Sequence, residues 1–242
     1  LKLSDAFYRA SMSTDMKVKV PVIWGTDAVH GHNNVYGATL FPHNIGLGAA
    51  HDPALMERIG HATAEQVRAT GITWAFAPTL AVVQNPRWGR TYESYSSNPD
   101  LVRSYGEAMV RGLQGQLGSP TSVLATAKHY LGDGGTFHGK DQGETRTTEA
   151  NLYRTHAAGY YGALKANVQT VMVSYSSFTD TATGKRWGKM HGNAYLVSDV
   201  LKHRLGFNGL VVSDWNGIEQ VPGCIRWHCP QAINAGIDLA MV

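Results

Sequence analysis

Six short apolar, β-branched stretches, each running into a polar or charged side chain, constrain the fold of this chain more than any other feature. They occur near 21–25, 72–77, 122–127, 170–174, 210–213 and 237–241, and the residues waiting at their ends include Asp27, Lys128 with His129, Tyr175 and Asp214. Patterned helical segments fall between them. The clearest opens at Asp52-Pro53, a side-chain cap followed by the residue whose ring pre-sets the first helical turn. It carries Met56, Ile59, Thr63 and Val67 along one face and ends at Gly71. Further helices are predicted over 99–114, 147–165 and 194–204. Strands alternating with helices build a mostly parallel sheet with buried strands. An open doubly wound sheet would carry a Gly-rich phosphate loop after one strand, and no such loop is seen. Polar residues at the C-terminal ends of several strands are instead the layout of a barrel enzyme. The predicted fold class is therefore α/β, a TIM-like (β/α)8 barrel.

At 242 residues, with 43% hydrophobic and 16% charged residues, the chain has material for one such domain over 1–242, since a barrel takes about 250 residues. Six strands in place of eight suggest a barrel incomplete at both ends. Residues 1–16 read as an amphipathic helix already under way, and 237–242 as a strand that stops without its following loop, so a piece of a longer protein is expected. A net charge of +3 from scattered basic residues argues against nucleic acid and anionic membrane as partners. No apolar run approaches the roughly 20 residues of a membrane span. Cys224 and Cys229 sit in one Pro/Gly-flanked loop, where they form either a small disulfide or two free thiols.

A carboxylate placed directly after a buried strand is held in position. Asp214, after Val211-Val212-Ser213 and before Trp215, is on those grounds a candidate nucleophile beside an aromatic wall, or else a cap for the next helix. Retaining glycoside hydrolysis needs such a carboxylate and a second carboxyl about 5 Å away that acts first as acid and then as base. Asp27 could equally anchor its loop, and Arg90 could form a weak surface pair with Glu93 or be oriented by it. His30-Gly31-His32 invites a metal reading, but metal sites need three or four converging ligands, and no spacing of that kind is present. Hydrogen bonding inside the loop is the reading preferred for these two imidazoles. Trp74, Trp88 and Trp187 read as packing residues. Gly132-Asp133-Gly134-Gly135 reads as a turn, because no helix N-terminus follows to make a phosphate cradle.

The segments GTDAVHGHNNVYGATLFPHNIGLGAAHDP, NPRWGRTYESYSSNPDLV, AKHYLGDGGTFHGKDQGETR, VMVSYSSF, KMHGNAYLVSDVLKHRLGFNGLVVSDWNGIE and NAGIDLAMV resemble the successive signatures of family 3 β-glucosidases and β-glucan exohydrolases. They arrive in family order and cover the chain nearly end to end. By this resemblance Asp214 matches the nucleophile and Trp215 the tryptophan walling the outer sugar subsite. Asp27 matches the carboxylate that accepts hydrogen bonds from hydroxyls at the non-reducing end. Arg90, Lys128 and His129 match donors to glucose hydroxyls, Tyr175 the tyrosine beside the nucleophile, and Met241 an apolar residue near the bound glucose. Charged groups hold hydroxyls more strongly than neutral ones, so an uncharged sugar is met by a charged site.

The resemblance implies a retaining exo-acting hydrolase that releases glucose from β-glucans and cello-oligosaccharides through a glycosyl-aspartate, with no cofactor and no metal. It implies further that the acid/base is a glutamate on a C-terminal α/β sandwich domain absent from these residues. Asp141 and Glu144 lie where relatives place a site-organising carboxylate and are secondary candidates. The β-N-acetylglucosaminidase branch has Pro-Gly-His after the Lys-His pair. Leu131-Gly132-Asp133 stands here instead, which speaks against that branch. The competing readings are a β-xylosidase or mixed-specificity member, against which the Asp27 context favours glucose, and a non-catalytic sugar-binding barrel. Periplasmic or secreted location is what the resemblance implies; the residues themselves are silent on it.

Overall fold

The computed structural model describes residues 2–242. In chain order its strands are β1 (Gly25–Thr26), β2 (Trp74–Ala75), β3 (Leu124–Tyr130), β4 (Glu144–Thr147), β5 (Thr170–Val173), β6 (Ser177–Asp180), β7 (Arg186–Lys189) and β8 (Leu210–Val212). Five of them form a wholly parallel sheet in the order β1-β2-β3-β5-β8. Residues 237–241 add a sixth parallel segment, bridging Val212 through Leu239. This is a TIM-barrel-like α/β fold. Among the described residues the sheet does not close on itself, because β1 forms one edge and the Leu239 segment the other.

The α-helices are α1 (Lys2–Met12), α2 (Asn44–Ala49), α3 (Pro53–Ala69), α4 (Pro99–Gln114), α5 (Glu149–Asn151), α6 (Ala158–Lys165) and α7 (Pro230–Asn234). Both long helices start where their caps dictate: the Asp52 side chain accepts from Leu55 N–H, the Asn98 side chain accepts from Asp100 N–H, and proline follows each cap. The helix predicted over 147–165 is interrupted by a π-helical turn at Leu152–His156, and that over 194–204 is π-helical from Tyr195 to Arg204. Helices α3, α4 and α6 pack side by side outside the sheet. Their approach requires glycine: a Cβ on Gly112 would stand 2.2 Å from Glu57 O, and one on Gly162 2.1 Å from Arg103 O.

Side chains on the inner face of the sheet gather Trp74, Phe76, Met172, Val212 and Met241 into one cluster. Trp74 Nε1 donates to Thr126 Oγ1 at 2.8 Å and Thr170 Oγ1 at 3.0 Å, so the largest ring inside is both buried and satisfied. Each fully buried side chain of this size contributes about 1.5–3 kcal/mol.

Two expectations need correction, and a third feature was not expected. The strand expected at 21–25 pairs only at Gly25–Thr26, because Thr73 and Trp74 N–H both go to Trp24 O and upstream Val22 N–H turns to the Ser11 hydroxyl instead of a strand. The amphipathic helix expected over 1–16 runs from Lys2 to Met12 with no buried residue; Leu1 lies outside the described residues. The third is an unforeseen small sheet of order β4-β6-β7, in which β4 and β6 are parallel and β6 and β7 antiparallel. Cys224 and Cys229 are joined as a disulfide across the Ile225–His228 bridge. Among the described residues no helix is long and apolar enough to cross a membrane.

Candidate active site

The polar residues predicted at strand ends converge on the C-terminal face of the sheet. Asp27 follows β1, Lys128 and His129 lie in the last turn of β3, Tyr175 follows β5, Asp214 and Trp215 follow β8, and Met241 ends the sixth segment. Strand β3 runs three residues past its predicted end, with a register shift between Ala127 and Tyr130 and cis peptide bonds at Lys128-His129 and Tyr130-Leu131. Lys128 and His129 are both 3% exposed, so neither is a solvated surface pair.

Asp214 is held from several sides. Its Oδ1 accepts Trp215 N–H at 2.8 Å, its backbone N–H donates to His191 Nε2 at 3.1 Å, and its Oδ2 lies 3.6 Å from His129 Nε2. Ser213 Oγ donates to Asp214 O and accepts Met241 N–H at 2.8 Å, while Asn216 N–H reaches Met241 O. The strand end, the sixth segment and the turn at Asp214 are thereby one hydrogen-bonded unit. Met241 packs inside the sheet with Val212 and Trp74, at the foot of the site. Asp214 caps no α-helix; a 3₁₀ turn at Gly217–Gln220 follows it.

Around Asp214 the charges alternate. Arg90 Nε and Nη2 donate to Glu93 Oε1 and Oε2 at 2.7 and 3.0 Å, a two-pronged pair only 25% and 13% exposed. Arg90 Nη2 lies 3.2 Å from His129 Nε2. Burial works against the Arg90 charge, but Glu93 outweighs it, with Asp133 and Asp214 assisting, and raises the pKa above the ordinary value. Burial likewise pushes the Glu93 carboxyl up, and the Arg90 hydrogen bonds and charge bring it below the usual carboxylate range. Glu93 therefore orients Arg90, and the pair is not the weak surface contact considered above. Lys128 Nζ binds Asp27 Oδ1 at 2.8 Å, a buried ammonium on a carboxylate that remains 56% exposed. Asp27, Arg90 and Lys128 line a pocket of about 340 Å³ together with His30, His43 and Tyr92.

Trp215 projects outward, 55% exposed, and its carbonyl accepts the Tyr175 hydroxyl at 2.5 Å. Burial and the Asp214 carboxylate push the Tyr175 phenol up, so it stays a neutral donor.

The secondary candidates part company. Asp141 is exposed and accepts Trp88 Nε1 at 2.8 Å. Glu144 accepts from the Thr179 hydroxyl and pairs with Arg146, both in or beside the small sheet, and the Thr179 hydrogen bond leads the effects that lower its pKa. His30 Nδ1 lies 2.9 Å from Phe41 O and His32 Nε2 3.1 Å from Thr70 Oγ1. Trp187 stacks on Tyr195.

Two residues at the site escaped sequence reasoning. Asp133, read as part of a turn, is a largely enclosed carboxylate, 12% exposed, whose Oδ2 lies 2.8 Å from His129 Nδ1, in an approach too bent for a linear hydrogen bond. Burial pushes its pKa up, while His129, Arg90 and the Ser174 hydroxyl bring it below the usual range. The i,i+4 spacing from His129 was its only signal. His191 had none. It is fully buried, and burial, aided by the charge of Lys189, pushes its pKa down to about 3. It is neutral, with Nε2 free to accept Asp214 N–H.

The whole chain, residues 1–242, matches the model described as "Glycosyl hydrolase family 3 N terminal domain". A crystal structure of an exo-1,3/1,4-β-glucanase from a Pseudoalteromonas species superposes with a TM-score of 0.93 at 53% identity, covering 100% of this chain and 30% of that one. A lysosomal β-glucosidase of Dictyostelium discoideum is 34% identical over 93% of this chain and 28% of its own length. A β-xylosidase of Formosa agariphila is 31% identical over 93% and 32%. The chain thus spans less than a third of the length of these relatives.

Proposed function

We propose, from the premise that this chain belongs to glycosyl hydrolase family 3, that it supplies the nucleophile-bearing barrel of a retaining exo-β-glucosidase. The substrates are β-1,3- or β-1,4-linked glucans and cello-oligosaccharides, cut from the non-reducing end. The observation that carries this reading is the Asp214 carboxylate: fixed at a strand end, 7% exposed, and faced by His129 and the charge of Arg90. A carboxylate so held can attack an anomeric carbon without reorganising, while the groups around it grip sugar hydroxyls.

In this scheme Asp214 forms the glycosyl ester, Asp27, Arg90, Lys128 and His129 bind the hydroxyls of one glucose, and Tyr175 donates beside the nucleophile. Met241 supplies apolar contact beneath the sugar. Trp215 offers its exposed face to the next sugar. A general acid needs a raised pKa. Glu93 is instead held low by Arg90 and Asp133 by His129, Arg90 and the Ser174 hydroxyl, and Asp27 is engaged by Lys128. The acid/base is therefore left to what the family resemblance implies, a glutamate of a sandwich domain outside these residues. The Cys224–Cys229 disulfide favours an exported or otherwise oxidising location.

The test is trapping. The protein, expressed with whatever sequence flanks these residues in its gene, is incubated with an activated 2-deoxy-2-fluoro-β-glucoside and mapped by peptide mass spectrometry. A fluoroglucosyl adduct on the peptide containing Asp214 is expected. A folded, β-glucoside-cleaving protein whose Asp214 peptide stays unlabelled would refute the assignment. The similarity to a β-xylosidase supports a second reading, distinguished by kcat/KM on aryl β-xyloside against aryl β-glucoside.

A further inference from the structure

The turn Gly132-Asp133-Gly134-Gly135 plays no part in the scheme above, yet it carries the most enclosed carboxylate near Asp214. Asp133 Oδ2 is 2.8 Å from His129 Nδ1, and the Ser174 hydroxyl donates to its Oδ1. Glycine permits this placement, since a Cβ on Gly134 would lie 2.7 Å from Val82 O and one on Gly135 2.3 Å from the His156 ring. The groups that face Asp133 are His129 from β3, Arg90 from the loop ahead of Thr91–Glu93, Ser174 after β5, His156 from the π-helical turn and Tyr160 from α6. Of these, His129 and Arg90 also act on Asp214, and His129 Nε2 lies 3.6 Å from its Oδ2.

The two ring nitrogens of His129 therefore have different neighbours. Arg90 can only donate, so the 3.2 Å contact from its Nη2 requires a lone pair on His129 Nε2. The proton then sits on Nδ1, and the acceptor within reach, 2.8 Å away along a bent approach, is Asp133 Oδ2. We propose that Asp133 is a positioning residue: its carboxylate fixes the tautomer and orientation of His129, so that Nε2 is presented between Arg90 and Asp214. A carboxamide there could donate to Nδ1 and drive the proton to Nε2, where it would collide with the Arg90 N–H. Loss of an orienting carboxylate behind a working histidine costs on the order of 10²-fold or more.

This role rests on the hydrolase reading, and a double-mutant cycle tests it. Wild type, Asp133→Asn, His129→Gln and the double variant of the full gene product are compared by kcat and KM on an aryl β-glucoside, with thermal melting as the check on folding. Asp133→Asn is expected to lower kcat/KM by about 10²-fold in the wild-type background and less than threefold once His129 is Gln. Ser174→Ala, which removes the hydroxyl on Asp133 Oδ1 together with its contacts to Ser176, is expected to cost about threefold to tenfold, with the loss shrinking once His129 is Gln. Equal losses from Asp133→Asn in both backgrounds, or a folded single variant within threefold of wild type, would overturn the role while leaving the hydrolase reading intact. A folded wild type that cleaves no β-glycoside would overturn both.

Discussion

Acid should unfold this protein through two histidines well before its carboxylates protonate. His156 is 3% exposed and its pKa is pushed down to about 4, mainly by burial; His191 is fully buried and pushed down to about 3. Both are neutral in the folded state, and both return to about 6.5 when the chain unfolds. Below pH 6.5 the unfolded state therefore binds about two more protons than the folded one, and stability falls as pH falls. At about 1.4 kcal/mol per proton and pH unit, acidification from pH 7 to pH 5 removes about 4 kcal/mol, a large part of a typical 5–15 kcal/mol total. The lowered carboxyls of Glu93 and Asp133 act in a separate window. Their contribution is complete above the unfolded carboxyl values near pH 4 and is lost only as pH falls through the folded ones. The assay is proton uptake on unfolding in urea at pH 5.5, followed by back-titration in unbuffered solution. His156→Gln is expected to reduce the uptake by about one proton. An unchanged uptake in that variant would refute the argument, because it would show that His156 titrates alike in both states.

Two further perturbations probe the site. Glu93→Gln leaves the Arg90 guanidinium largely buried without its two-pronged carboxylate, and is expected to cost about 3 kcal/mol by urea denaturation, the low end for a broken buried pair because Arg90 is 25% exposed; a loss below about 1 kcal/mol would contradict the pairing energetics. Gly217→Ala sets a Cβ 2.3 Å from His191 Nε2, which must move and release Asp214 N–H. The expected outcome is a fall of about 10²-fold in kcat, and unaltered kcat in a folded variant would show that His191 does not hold Asp214.

Much of the fold was legible because its signals are local. Asp52 and Asn98 cap helices whose apolar faces repeat at helical spacing, and the ends of α3 and α4 follow from those few residues. The placement of Asp27, Lys128, His129, Tyr175 and Asp214 at strand ends was readable in the same way, since an apolar run broken by a charge marks where the sheet stops. The small sheet was not readable. Its strands Ser177–Asp180 and Arg186–Lys189 are short and polar, and they form because the first pairs with β4 on one side and with the second on the other.

The sequence alone determined the barrel-like alternation, the strand-end positions of the reactive groups and the family signatures that join them. Only the tertiary structure decided which groups meet: His191 with the Asp214 backbone 23 residues away, Arg90 with His129 across 39, and Lys128 with Asp27 across 101. Periodicity records what a residue does to its own helix or strand. An imidazole between a carboxylate and a guanidinium records nothing there, because its partners come from a different strand end and from a loop, and become neighbours only when the parallel sheet sets those ends side by side.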